Sequence, residues 1–186
     1  MEKCYFRVQQ KQVIFLKNMK NIEIKVRINN RSRILDILRD LNARKVGILT
    51  QVDTYYRTMQ GRLKIREERE TKTITLIFYF RPDKPNSRIS EYQIVQLPKQ
   101  CASHIKIILA QAFGKSVVVK KKRTLYMYKH TRIHLDRVEK LGNFLELETV
   151  IGKQLKSAAQ REHAKVIQKL ALGTYKHIPV SYSDLL

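Results

Sequence analysis

Acidic and basic side chains recur at every second position along several short, otherwise apolar runs of this sequence. Taken run by run, they are Glu23, Lys25 and Arg27; Arg62, Lys64 and Arg66; Arg81; Lys121 and Arg123; Arg132, His134 and Asp136; and Glu146 and Glu148. The residues between them are mostly Ile, Leu, Val and Phe. On a single strand, a charged face ordinarily meets water. Repetition along so many runs suits another arrangement, in which a sheet closes and its charged faces share a lumen. Such a lumen is costly when dry, because buried charge must be paired. Water and a polyanion make it tolerable. Arginine offers phosphate a planar fork of paired donors. Carboxylates hold hard cations such as Mg2+ or Mn2+. Bases for phosphates, and acids for the metal that bridges them, are the two halves of a nucleoside-triphosphate site.

Other motifs carry less chemistry. Gly114-Lys115-Ser116 ends like a phosphate loop, but Leu109 stands where that loop needs its first glycine, so a helix C-cap fits better. Gln51, Asp53 and Tyr55 alternate on one face and suit either base or ribose contact or hydrogen bonding within the wall. His134 suits a phosphate contact or a satisfied interior histidine. The cysteines, Cys4 and Cys101, make neither a disulfide framework nor a zinc site. They fit a reducing intracellular compartment, in the first place the cytoplasm.

The elements that must position these residues follow from periodicity. Asn21 to Ile28 alternates strictly, polar on odd and apolar on even positions. Strands also read over Val52–Thr58, Arg62–Arg66, Ile74–Arg81, Arg88–Leu97, Ser116–Met127, His130–Val138 and Asn143–Val150, about eight in all. Three helices are expected. One presents Ile34, Leu38 and Leu41 and is capped by Asn30 or Ser32. The second follows Pro98, presents Ile105, Ile108, Leu109 and Ala112, and stops at Gly114. The third presents Leu155, Ala159, Val166 and Leu170 and stops at Gly173. The class is α+β with a predominantly antiparallel sheet.

The chain has 186 residues and, with 38 Lys and Arg against 16 Asp and Glu, a net charge of +22. One domain and a polyanionic partner are the natural readings. No stretch approaches the ~18 uninterrupted apolar residues of a membrane span. Residues 1–18 form a basic extension, read as an added strand, a tail or a targeting segment, mitochondrial import included. Met19 is an alternative start.

Asn21-Ile22-Glu23-Ile24-Lys25 resembles the Glu-x-Glu-x-Lys signature of the CYTH proteins, the triphosphate tunnel metalloenzymes. Gln51–Tyr56, Gly61–Glu67, Leu76–Pro82, Arg132–Glu139, Leu141–Glu148 and Tyr182–Leu186 resemble, in order, the class IV adenylyl cyclase branch. The resemblance covers residues 19–186 and implies an eight-stranded antiparallel tunnel with flanking helices, binding a triphosphate lengthwise. It implies that Glu23, Asp136, Glu146 and Glu148 hold Mg2+ or Mn2+. Lys25, Arg62, Lys64, Arg81, Lys121, Arg123 and Arg132 would bind the phosphates, with Glu23, Lys25 and Asp136 catalytic. Lys121 is chosen over Lys120 and Lys122 because it shares parity with Arg123. The implied reaction is ATP cyclisation to cyclic AMP and pyrophosphate, or hydrolysis of a nucleoside or inorganic triphosphate.

Two features depart from that pattern. Asn21 replaces the first acid, supplies no charge and accepts a proton poorly. Much of the +22 also exceeds what a tunnel needs: Arg31, Arg33, Arg39, Arg44 and Lys45 lie on or beside the first helix, and Lys153, Lys156, Arg161, Lys165 and Lys169 on or near the last. These bases make a solvated surface or a capture site for RNA or polyphosphate, bound by a monomer or homodimer. A weakly active or inactive polyanion-binding module is therefore the alternative.

Overall fold

A computed structural model describes residues 15–84, 86–152 and 154–186. The expectations for residues 1–14 lie outside the described residues. Eight strands form: β1 (Phe15–Arg27), β2 (Arg44–Tyr56), β3 (Arg62–Glu68), β4 (Thr73–Phe80), β5 (Arg88–Gln96), β6 (Lys115–Tyr128), β7 (Thr131–Val138) and β8 (Gly142–Val150). They close into a barrel in the order β1-β5-β4-β3-β2-β6-β7-β8, and every pairing is antiparallel. β2 is longer than its alternation suggests. Its first half, through Val46 and Ile48, is held by pairing with β6 rather than by burial.

Helices cover two stretches of the outer wall. α1 (Arg31–Asp40) is capped by Asn30, whose side chain accepts from the Arg33 amide at 3.0 Å. It packs Ile34 and Leu38 with the outward residues Val26, Ile133, Leu135, Leu145 and Leu147. α3 (Lys156–Lys169) adds Val166 and Leu170 to the same cluster. α2 (Lys99–Phe113) lays Ile105, Leu109 and Ala110 over Ile65, Leu76 and Val95. Ile108 and Ala112 are exposed instead, because the contact is narrow and each lies one shoulder round the helix from Ile105 and Leu109. α3 ends before the expected Gly173. Ala171 turns left-handed at φ 51°, which returns Leu172 to the core beside Leu170. That conformation costs about 1–2 kcal/mol in an L-residue, and burying Leu172 offsets it.

The segment after α3 closes one end of the barrel. Residues 176–178 pair with β1: the Arg27 amide donates to Lys176 O at 3.2 Å and the Ile178 amide to Lys25 O at 2.8 Å. Beyond them Ser181 contacts the hydroxyls of Tyr55 and Tyr79, Asp184 accepts from Arg62, and Tyr182 reaches Asp136. One short segment thus touches β1, β2, β3, β4 and β7.

Because Leu145 is fully buried in the apolar cluster that α1 and α3 share with the barrel, Leu145→Ala is expected to cost about 2–5 kcal/mol of stability. Urea denaturation of the intact protein measures that loss, and a change under 1 kcal/mol would mean that the cluster does not hold these helices.

Candidate functional site

Strand alternation delivers the charged faces into the barrel. The lumen encloses a cavity of about 380 Å³. Of the three consecutive lysines on β6, Lys121 points inward and is buried, while Lys120 and Lys122 are exposed. Asn21, Glu23, Lys25, Lys64, Arg66, Arg81, Lys121, Arg123, Arg132, His134, Glu146 and Glu148 all line this space. Two predicted site residues do not. Arg62 lies at a separate cleft at the closed end, held by Asp83 at 2.8 Å and Asp184 at 2.7 Å. Asp136 is fully buried behind Arg123.

One side of the lumen is cationic. Asp53 on β2 is reached by Lys64 Nζ at 2.9 Å, Lys121 Nζ at 2.7 Å, and Arg66 Nε and Nη2 at 2.7 and 2.8 Å. Burial alone would raise the Asp53 carboxyl, but Arg66, Lys121 and Lys64 together hold it well below the usual carboxylate range. One anion cannot satisfy three cations. Burial, with Arg66, Lys64 and Arg123 as like-charged neighbours, outweighs Asp53 and pushes Lys121 down to about 7.

The facing side is acidic. Arg123 makes a two-pronged contact with Asp136 at 2.7 and 2.6 Å and reaches Glu146 Oε2 at 2.7 Å. Lys25 approaches Glu146 at 3.4 Å and sits 4.0 Å above the Tyr182 ring. Arg132 pairs with Glu148 at 2.8 Å. Glu23 is clamped by Arg81 at 2.9 Å and approached by Arg88 at 3.4 Å. Burial, together with the nearby Glu146 and Glu148, raises the Glu23 carboxyl despite Arg81.

His134, Glu146 and Glu148 bring one ligand atom each within 4.8 Å of one another. Their protonation suits a cation. Burial works against both carboxylates, yet Lys25 and Arg123 keep Glu146 well below the usual range, and Arg132 lowers Glu148. Burial, then Arg123, lowers His134, so its imidazole is neutral at physiological pH. His134 Nδ1 is buried without a hydrogen-bond partner, as a ligand nitrogen would be. The two carboxylates fit Mg2+ or Mn2+, and the neutral imidazole suits a transition ion such as Mn2+ better than Mg2+, which prefers oxygen.

Asn21 sits at the edge of this group. With its oxygen accepting from Tyr92 Oη at 3.0 Å and Arg132 Nη2 at 2.8 Å, its nitrogen donates to Lys20 O at 3.2 Å. That orientation satisfies both ends of the amide.

A closed eight-stranded antiparallel tunnel was the fold that the motifs implied, and the comparisons agree. The CYTH domain family model matches residues 19–182. The chain belongs to the CYTH family. A protein from Pyrococcus horikoshii OT3 is 27% identical to this CYTH chain, with a TM-score of 0.73 over 89% of it and 99% of the relative. A candidate adenylate cyclase from Vibrio parahaemolyticus is 19% identical, TM-score 0.68, over 89% and 96%. A Hippeastrum protein described as having a dominant triphosphatase activity is 15% identical, TM-score 0.60, over 87% and 91%. The last two share the fold alone. Comparison with curated proteins gives no match.

Sequence reasoning left Arg66 and Arg88 out of the site and read Asp53 as either a base or ribose contact or a hydrogen-bonding residue of the wall. Arg66 carries the signal that found Lys64, since the two share parity, and Arg88 shares parity with Ser90 and Tyr92 in the lining. Asp53 as a shared counter-ion required knowing which strands flank β2.

Lys121 gives the site a pH signature. The folded chain releases its proton near 7, whereas an unfolded lysine keeps it to 10.5. Between those values the unfolded state binds more protons, so this group makes stability rise with pH, by at most about 1.4 kcal/mol per unit. Denaturant titrations at pH 7, 8 and 9 measure the slope. Lys121→Met should flatten it, and an unchanged slope in that variant would assign the effect elsewhere.

Proposed function

We propose that this CYTH protein hydrolyses a triphosphate held lengthwise in its lumen, with Mg2+ or Mn2+ bound by His134, Glu146 and Glu148. The observation that carries the reading is the charge balance. Eight bases (Lys25, Lys64, Arg66, Arg81, Arg88, Lys121, Arg123 and Arg132) face or back the lumen against five carboxylates, Glu23, Asp53, Asp136, Glu146 and Glu148. A linear polyanion is the ligand that balances this interior.

The bases spread around the wall hold successive phosphates and fix the chain in line, which lowers the entropic part of the barrier. Arg123 and Arg132 stand between the phosphates and the acidic group, where charge develops on transfer. Lys121 Nζ takes up a proton as phosphate arrives, because an added anion reverses the balance that depresses it. The closed wall and the C-terminal segment restrict water to the open end and the cavity. When bound, the cation supplies charge neutralisation on the phosphate oxygens. Hydrolysis needs only water beside this set of groups.

One observation favours ATP cyclisation as a second reading. Gln51 donates to Glu68 at 2.6 Å, which turns its Oε1 away, and that buried oxygen has no partner. It lies beside Leu49 in the cavity lining, where a nucleoside donor and an apolar surface would meet.

Product analysis by ³¹P NMR tests both. The intact protein is incubated with tripolyphosphate or ATP, with Mg2+ and then Mn2+. Orthophosphate is expected, with turnover reduced about 100-fold or more in Glu146→Gln/Glu148→Gln. Cyclic AMP with pyrophosphate would assign the second reading. Tight binding without product would make the chain a binding module. Asn21→Glu adds a carboxylate beside Arg132 and Glu148 and should raise turnover severalfold, and unchanged kinetics would remove Asn21 from the site.

A further inference from the structure

Asp53, like Asp136, is 0% exposed and lies behind the cavity lining, but it alone of the two gathers three cations, and all three of those partners line the cavity. β3 places Arg66 directly opposite Asp53, with Lys64 one inward position along, opposite Tyr55. On the other side β6 pairs Lys121 with Gln51, one inward position from Asp53. The carboxylate is thus gripped from both flanking strands. It accepts four hydrogen bonds, three at Oδ2 and one at Oδ1, which uses about the four acceptor positions that a carboxylate has.

Its charge is less complete than its hydrogen bonding. Among the described residues no other carboxylate lies within ion-pair distance of Lys64, Arg66 or Lys121. Fully protonated, the cluster holds three positive charges and one negative, in surroundings where an unpaired charge is expensive. The excess faces the cavity and not the wall. No anion other than a ligand can reach it from that side.

We infer that Asp53 is a positioning residue for triphosphate: its carboxylate gathers Lys64, Arg66 and Lys121 into one cluster and yields part of its hold on them to an incoming phosphate. The inference rests on the triphosphate reading above. Asp53 acts through the three cations and does not touch the substrate. It tethers side chains that would otherwise repel one another, and its own charge keeps phosphate binding from being too tight.

The test uses thermal unfolding of the full chain with and without inorganic tripolyphosphate, no metal added, in wild type, Asp53→Asn and Asp53→Asn/Lys121→Met. Asp53→Asn is isosteric and removes only the charge. Its melting temperature is expected to fall, and Lys121→Met is expected to recover part of the loss by removing one of the stranded cations. Tripolyphosphate should raise the melting temperature of Asp53→Asn at least twice as much as that of wild type. In turnover assays KM and kcat should fall together, a split that loss of structure alone would not give. If Asp53→Asn does not fold, the double variant is compared with Lys121→Met alone, from which it differs only by the Asp53 charge, and tripolyphosphate should shift the double variant more.

A shift in Asp53→Asn that merely equals that of wild type, or in the double variant that merely equals that of Lys121→Met, overturns the inference and leaves the triphosphate reading intact. A wild type that tripolyphosphate does not shift at all overturns the triphosphate reading. Destabilisation that Lys121→Met fails to relieve overturns the counter-ion role without reference to any ligand.

Discussion

A closed eight-stranded sheet leaves its inward side chains no route to bulk water except along the barrel axis. Once β1 meets both β5 and β8, every charge placed on the inner face must find its partner inside. The interior is accordingly a lattice of shared contacts. Arg123 serves Asp136 and Glu146; Asp53 serves three cations; Glu23 is shared by Arg81 and Arg88. Such pairs seldom stabilise a fold more than apolar packing would. Most apolar packing lies outside the wall, where α1, α2 and α3 bury the opposite faces of the same strands, and a further cluster with Tyr55, Tyr79, Phe144 and Tyr182 lies under the C-terminal segment. Alternation is what puts the helix-covered apolar faces and the charged faces on opposite sides of one layer of backbone.

The interior is also divided around its circumference. β2, β3 and β6 carry the cluster on Asp53, and β7 and β8 carry His134, Glu146 and Glu148. Arg123 on β6 belongs to both sectors, since its strand neighbours Asp53's while its guanidinium reaches Glu146. On the triphosphate reading proposed above, a ligand along the axis would meet the cations held by Asp53 on one side and the group of His134, Glu146 and Glu148 on the other. Among the described residues no helix is long and apolar enough to cross a membrane.

Much of this was legible in the sequence because period-two alternation is a local property. It placed Lys121 inward between two outward lysines, and it put Lys25, Lys64, Arg81 and Glu146 on inner faces. What it missed depends on neighbours far apart in sequence. Asp53 and Lys121 lie 68 residues apart, and their contact exists only because β2 pairs with β6 across the barrel. Arg62 has the parity of Lys64, yet Asp83 and Asp184 hold it at the closed end, one step beyond the cavity. Asp136 has the parity of His134, but Arg123 and Tyr182 occupy its oxygens. Parity chooses a face; depth along the axis and the order of strands decide what a residue meets there. The outward lapse at Ile108 has the same origin, since helical periodicity says nothing about how wide the covering contact will be.

Asn21 illustrates how a local reading and the assembled site can differ in consequence. Read alone, an amide in place of an acid subtracts one metal ligand. In the barrel its oxygen meets Arg132 and the Tyr92 hydroxyl, while Glu148 also pairs with Arg132. The amide therefore helps to orient the arginine without competing for its charge. A carboxylate there would add a second negative group beside Glu148, and burial already presses on that group. His134 supplies the compensating donor: a neutral nitrogen, buried and without a partner, on the strand next to Glu146 and Glu148. On the metal reading proposed above, Glu146, Glu148 and His134 would remain as ligands without an acid at position 21.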